Sequence, residues 1–154
     1  MKKIPLTRNS FALVDNEDFE YLSQWHWFLS GKGYAERYNG QKKSPIKMHS
    51  QIMNTPNGLF CDHINGNRLD NRKSNLRLVT NQQNLCNRGK ASNNTSGYKG
   101  VSFQCKKWYA KITSFGKQHH LGSFKEKIDA ARAYDKAAKE LHGEFARLNF
   151  PDNL

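Results

Sequence analysis

The chain has 154 residues, 36% of them hydrophobic, and a formal net charge of +12 at pH 7; this suffices for one ordinary core or two small ones. A pI near 9.8 predicts attraction to a polyanion, nucleic acid before an acidic membrane. No apolar run approaches the roughly 20 residues that span a bilayer, and no apolar stretch follows Met1-Lys2-Lys3-Ile4-Pro5 as in a signal peptide, so a protein of a reducing compartment is expected, not secreted and not membrane-bound.

Cys61, Cys86 and Cys105 are odd in number, widely spaced and without a CxxC pair, so they read as free packing thiols and no structural zinc is expected. The positive charge is spread along the chain. Residues 1–60 carry 8 basic against 5 acidic side chains, residues 61–90 carry 6 against 2, and residues 91–154 carry 11 against 6. A field of one sign over this length suits a protein that follows a duplex, the alternative being generic solubility charge.

Residues 1–60 alternate short apolar runs with turn signals: Phe11 to Val14, Trp25 to Leu29, and Tyr34 to Tyr38 closed by Asn39-Gly40. The pattern predicts a small antiparallel sheet with at least one hairpin. Trp25 and Trp27 sit at strand spacing among other aromatics and read as packing residues.

In the middle, Leu59-Phe60 leads a strand into Asp62-His63, Asn65-Gly66 opens a long polar loop, and Leu76-Arg77-Leu78-Val79 forms a second strand. Thr80 with Gln83 reads as a capping box that starts a helix near Asn81. Such a β-loop-β-helix unit can bring Asp62, His63 and Asn84 to one end. An Asp carboxylate and an Asn amide oxygen are hard ligands for Mg²⁺ or Mn²⁺, too few to hold the ion without substrate phosphate and water. His63 can take the proton of an attacking water, and Asn75 is placed to hydrogen-bond loop backbone and hold His63 in orientation. Arg68, Arg72, Arg77 and Arg88 surround the unit and read as phosphate contacts, with solvated surface charge as the alternative. His26, His49, His119 and His142 show no partner pattern and are assigned no chemistry.

The string Asp62-His63-Ile64-Asn65-Gly66-Asn67, then Asn71-Arg72, Ser74 to Thr80, and Gln82-Gln83-Asn84 resembles the HNH endonuclease family, particularly phage and intron-associated members with a ββα-metal site. The resemblance covers roughly residues 61–88, and Met48-His49 to Asn54 is similar to the lead-in of those phage proteins. It implies that His63 is the general base, Asn75 the middle structural asparagine, and Asp62 and Asn84 the ligands of one Mg²⁺ or Mn²⁺ ion. The chain departs from the family signature in carrying Asn84 where histidine is usual.

From Arg88 to Gly97 the chain lacks any large apolar residue, so 91–97 reads as a linker. Beyond it, Tyr98–Phe103, Trp108–Thr113 and Gln118–Leu121 predict three strands. A helix follows, with Ser123 and Glu126 as a capping box, Ile128, Ala131, Tyr134, Ala138 and Leu141 on one stripe, and Gly143 at its end. Val101, Phe103, Trp108, Ala110, Ile112 and Leu121 fall on one sheet face, whereas Ser102, Gln104, Lys111, Thr113, Gln118 and His120 fall on the other. One apolar and one polar, basic face suit a sheet that reads a DNA groove.

Gly97 to Val101, Trp108 to Ile112, Leu121 to Phe124, Ala130 to Ala138 and Leu148 to Pro151 resemble the Apetala/ethylene-response-factor DNA-binding domain, which inserts a three-stranded sheet into the major groove. The resemblance implies a phosphate or base contact at Lys99. Ser102, Gln104 and His120 stand where plant members carry arginines and a tryptophan, so the plant target sequence does not transfer.

The expected fold is α+β: a small ββα-metal nuclease core preceded by a short antiparallel sheet, plus a three-stranded antiparallel sheet with one packed helix. The expected organisation is a nuclease domain over 1–90 with its ββα-metal unit at about 59–88, a linker at 91–97, and an ethylene-response-factor-like domain over 98–154. The expected function is a site-directed DNA endonuclease of phage or mobile-element, homing type, acting on double-stranded DNA in the cytoplasm of a bacterial or phage-infected cell, with no obligate protein partner. It would use one metal ion and nick the duplex. The alternatives are a DNA-binding regulator with an inactive nuclease core and an RNA-binding or structural nucleic-acid protein.

Overall fold

A computed structural model describes residues 1–40 and 44–151. The fold is α+β and forms two compact units, Met1–Asn81 and Gln82–Leu154.

The first unit opens with a hairpin of β1 (Lys2–Pro5) and β2 (Phe11–Val14), paired from Lys2↔Val14 to Pro5↔Phe11. Arg8 and Asn9 turn the chain at positive φ. Alternation puts Ile4, Ala12 and Val14 into the core. The helix α1 (Asn16–Leu22) follows, with Glu17 and Asp18 in its first turn and Leu22 fully buried at its end. Acidic side chains are favourable there because they face the positive end of the helix dipole.

Next come β3 (Phe28–Leu29), β4 (Ala35–Arg37) and β5 (Ile46–Lys47), an antiparallel sheet in the order β3-β4-β5, and then α2 (Met48–Ile52). One apolar cluster holds these elements, built on Ile4, Leu6, Ala12, Val14, Leu22, Trp27, Ala35 and Met48. Each large aliphatic side chain in it contributes about 1.5–3 kcal/mol by leaving water. Trp27 is admitted because its indole N–H donates to the carbonyl of Leu22 at 2.8 Å. The strand expected from Trp25 is confined to Phe28–Leu29, and β1, α1 and α2 are elements that the alternation of apolar runs does not announce.

The unit ends with β6 (Phe60–His63) and β7 (Leu76–Val79), antiparallel from Phe60↔Val79 to His63↔Leu76. The long loop between them closes with a 3₁₀ turn over Lys73–Asn75. It is stitched to β2: Leu13 donates its N–H to the Leu69 carbonyl and accepts from the N–H of Asn71, both at 2.8 Å. The helix α3 (Asn81–Cys86) starts at the division between the units.

In the second unit β8 (Val101–Gln104), β9 (Lys107–Ser114) and β10 (Lys117–Phe124) form an antiparallel sheet in the order β10-β9-β8, and α4 (Lys127–His142) covers one face. Its core is made of Val101, Ala110, Ile112, Ala130, Ala131, Tyr134, Ala137 and Ala138. The four helix alanines let α4 approach closely, and at Gly100 (φ +75°) an added Cβ would lie 2.1 Å from the Tyr134 ring.

Two expectations are corrected here. Ser123 belongs to β10 and the helix begins at Lys127 behind Glu126 with no side-chain cap hydrogen bond, so the Ser123/Glu126 capping box does not form. The buried stripe is Ala130, Ala131, Tyr134, Ala137 and Ala138, while Ile128 and Leu141 are exposed. Gly143 ends the helix at positive φ, as expected. Asp135 fastens the chain beyond the helix by accepting the N–H groups of Asn149 (2.8 Å) and Phe150 (2.9 Å).

Candidate active site

The two strands β6 and β7 present the residues of the candidate site at the open end of their ladder. Asp62 faces Arg77 across the pair, and the guanidinium donates to Asp62 Oδ2 from Nη2 at 3.2 Å and from Nε at 3.3 Å. Both side chains are largely buried. Arg77 is an internal counter-charge to the carboxylate.

His63, the next residue, leaves β6 on the opposite side and is 4% exposed. Its Nε2 donates to Asn71 Oδ1 at 3.3 Å, which makes Nδ1 the ring nitrogen with a lone pair. Burial holds its pKa below the ordinary histidine value; Asn71, Asp62 and Asp70 oppose that shift and Arg68 adds to it. A neutral imidazole with a defined lone pair can accept a proton.

Asn75 closes the loop in front of His63. Its Oδ1 accepts the N–H of Asn65 at 3.0 Å, its Nδ2 donates to the carbonyl of Asp70 at 2.8 Å, and its own carbonyl accepts the N–H of Ile64 at 2.9 Å. Asp70 is in turn gripped by Arg72 through two contacts of 2.7 Å, and this lowers the pKa of its carboxyl. Arg72 is thus engaged within the loop. Arg68 is exposed, donates to the Lys32 carbonyl and lies over the Tyr34 ring.

One residue had no sequence signal. His49 on α2 is 4% exposed and meets His63 edge to face, with ring centroids 4.8 Å apart at 86°. Burial first, then the neighbouring His63 and Lys47, bring its pKa down to about 3. It supplies a neutral wall for the His63 ring, through a contact between α2 and β6 that no spacing in the chain encodes.

Asn84 is half-buried on α3 and Arg88 is exposed just beyond it, both in the second unit. Among the described residues, no three His, Cys, Asp or Glu side chains converge to hold a metal. The donor chemistry is that of an Asp62 carboxylate and asparagine amides, which fits a hard divalent cation completed by substrate and water.

In the second unit, the register Gln118↔Thr113 and His120↔Lys111 on one side of β9, and Ser102↔Tyr109 and Gln104↔Lys107 on the other, puts all these side chains on one sheet face. Gln104, Lys111, Thr113, Gln118 and His120 are exposed and Ser102 is half-buried. Lys107 and Tyr109 share that face and were not anticipated. On the apolar face Phe103 is 55% exposed, packed on Trp108 at the end of the sheet. The Lys99 ammonium donates to the Cys86 carbonyl at 2.7 Å, and burial lowers its pKa to about 8. The bond ties the end of α3 to its own unit.

The family described as HNH endonuclease matches residues 54–86. An uncharacterized HNH endonuclease of Acanthamoeba polyphaga mimivirus is 32% identical over 148 residues, covering 92% of this chain and 76% of that protein. Protein 3.8 of Escherichia phage T7 is 32% identical over 119 residues, covering 76% of this chain and 98% of that protein. A dehydration-responsive element-binding protein 2A of Oryza sativa is 39% identical over 72 residues, 45% of this chain and 26% of that protein. No solved structure matches. The β-loop-β segment with Asp62-His63 on its first strand, together with these relatives, defines a nuclease. The chain belongs to the HNH endonuclease family.

Proposed function

We propose that the protein is a site-directed DNA endonuclease of phage or mobile-element, homing type, which hydrolyses one phosphodiester bond per visit with a single Mg²⁺ or Mn²⁺ ion and so nicks duplex DNA. The observation that carries this reading is the buried, neutral His63, its lone pair assigned to Nδ1 by Asn71 and its neighbour Asp62 on the same strand, inside the segment that matches the family.

His63 Nδ1 takes the proton of the attacking water. The imidazolium so formed is stabilised by the Asn71 amide oxygen and by the Asp62 and Asp70 carboxylates, the groups that already favour its charged form. Asn75 acts at one remove: by holding the Asn65 N–H and the Asp70 carbonyl it keeps the loop, and with it Asn71, in register with the ring. Asp62 would be the carboxylate ligand of the ion, and Asn84 enters as a second oxygen ligand on the family pattern alone. When bound, the ion supplies stabilisation of charge on the phosphate and the leaving 3′ oxygen. Arg77 holds the Asp62 carboxylate in orientation.

Residues 98–154 would be the ethylene-response-factor-like reader. Support for this comes from the exposed polar face of β8, β9 and β10 and from the partial likeness to plant proteins named for binding a DNA element. Ser102, Gln104, Lys111, Thr113, Gln118 and His120 would meet the groove, and Arg88 a phosphate.

Incubation of supercoiled plasmid with the protein, with and without Mg²⁺, tests the reading. A nicked circle is expected first, and only with metal. No conversion in Mg²⁺ or Mn²⁺ would leave a DNA-binding protein with an inactive core, and linear product without a nicked intermediate would remove the single-strand mechanism.

A further inference from the structure

Beside Tyr34 lie two cations that, like Lys3, Arg8, Lys32 and Arg37, take part in no ion pair among the described residues. Arg72 is paired with Asp70, Arg77 with Asp62 and Lys73 with Glu17 and Asp18. Among the described residues, Lys47 and Arg68 form no ion pair; Glu36 lies across the ladder from Lys47 but does not bond it. Both are exposed, yet neither hangs free. The Lys47 ammonium sits 4.9 Å from the centroid of the Tyr34 ring and the Arg68 guanidinium 4.8 Å from it. Arg68 is further fixed by the Lys32 carbonyl, next to Gly33, whose φ of +80° bends the chain there. Tyr34 is itself anchored, since its N–H donates to Ser30 Oγ and its carbonyl accepts the Ser30 N–H.

The same ring lies 5.2 Å from His49 and 6.1 Å from His63. Two cations are thus held against one aromatic ring beside the proposed general base, and among the described residues no carboxylate forms an ion pair with either.

We propose that Lys47 and Arg68, positioned together by Tyr34, are a two-point clamp for the DNA backbone, holding phosphates next to the one that His63 attacks. The two cations lie 4.9 and 4.8 Å from one ring centroid, a spacing within reach of neighbouring phosphates along one strand. The clamp fixes the strand and reads no base. It takes the polyanion from the nuclease reading and adds Tyr34 and Lys47 to it, with Arg68 now given a partner.

The test uses full-length protein carrying His63→Ala, so that binding is measured without cleavage. Affinity for a linear duplex is followed across a range of KCl concentrations. Lys47→Gln and Arg68→Gln should each reduce the slope of log K against log salt by about 1, and the double variant by about 2. Tyr34→Leu should lose slope in the manner of the double variant, while Tyr34→Phe, which keeps the ring face, should retain the parental slope. A thermal melt separates loss of the clamp from loss of fold in Tyr34→Leu, and the two exposed Gln variants decide the matter if that protein unfolds. An unchanged slope in the double variant overturns the clamp even where the unmodified protein cuts plasmid. A reduced slope in a protein that never cuts would instead keep the clamp and remove the nuclease reading.

Discussion

The imidazoles of His49 and His63 meet at right angles across the junction of α2 and β6, 4.8 Å between centroids, and neither is exposed to solvent. Such a contact requires both rings to be neutral, because a proton on either would be buried beside the other and beside Lys47.

Acid stability follows from this pair. His49 titrates near 3 in the folded protein against an ordinary 6.5, so between those values the unfolded chain binds the proton that the folded one refuses. The stabilisation is fully present above pH 6.5 and is lost as the pH falls towards 3, by about 3–5 kcal/mol in all. His63, shifted in the same direction, adds to the loss. Denaturant unfolding followed by the fluorescence of Trp25 and Trp27 should show this decline, and His49→Phe should flatten it. An equally steep decline in His49→Phe would exclude His49 as its source.

Removing the base should spare binding. His63→Ala is expected to lower the single-turnover cleavage rate on the order of a hundredfold or more and to bind duplex DNA as the parent does. Cleavage at near-parental rate would refute the role of His63.

Loss of metal or of its ligands should abolish cutting. EDTA, Asp62→Asn and Asn84→Ala are each expected to do so. The Asn substitution is preferred at position 62 because it leaves an amide oxygen to accept from the buried Arg77 guanidinium, where alanine would leave none. Undiminished cleavage in EDTA is the result that would sink the assignment.

Asn75→Ala removes an acceptor from the Asn65 N–H and a donor from the Asp70 carbonyl, so a loss of about 2–4 kcal/mol is expected in urea unfolding of the first unit. Asn75→Asp restores only the acceptor and should fall between. If Asn75→Ala is as stable as the parent, the loop is held by something else.

In the second unit Gly100→Ala would drive a methyl into Tyr134 and the Lys111 carbonyl at a positive φ. Destabilisation of more than about 3 kcal/mol is expected, with loss of DNA affinity. A variant that melts with the parent would show that α4 can shift to admit it.

The β-loop-β unit was legible because its two strands are short apolar runs and its loop is almost wholly polar, so Asp62, His63 and Asn75 could be located by local pattern. The polar face of the second sheet was legible for the same reason, strict alternation along β9. What escaped is tertiary. His49 touches His63 only after α2 folds back on β6, and the Cys86 carbonyl that accepts from Lys99 leaves no mark in a sequence. The stripe on α4 was read through its large residues, Ile128 and Leu141, whereas alanines make the contact. The acidic start of α1 was present in Glu17 and Asp18 but was masked by the apolar runs around it.

The loop between β6 and β7 has one further consequence. Asn67 donates its N–H to Asn65 Oδ1 and Leu69 its N–H to Asn67 Oδ1, so its side chains hold its own backbone at successive steps. Its conformational entropy is surrendered during folding and not when the substrate arrives. Capture of DNA should then be fast and carry little heat-capacity signature from this segment, and the amide protons of Asn67 and Leu69, although near the surface, should exchange slowly in the free protein. The exposed loop beside His63 should then be as ordered before its first encounter with a phosphate as after it.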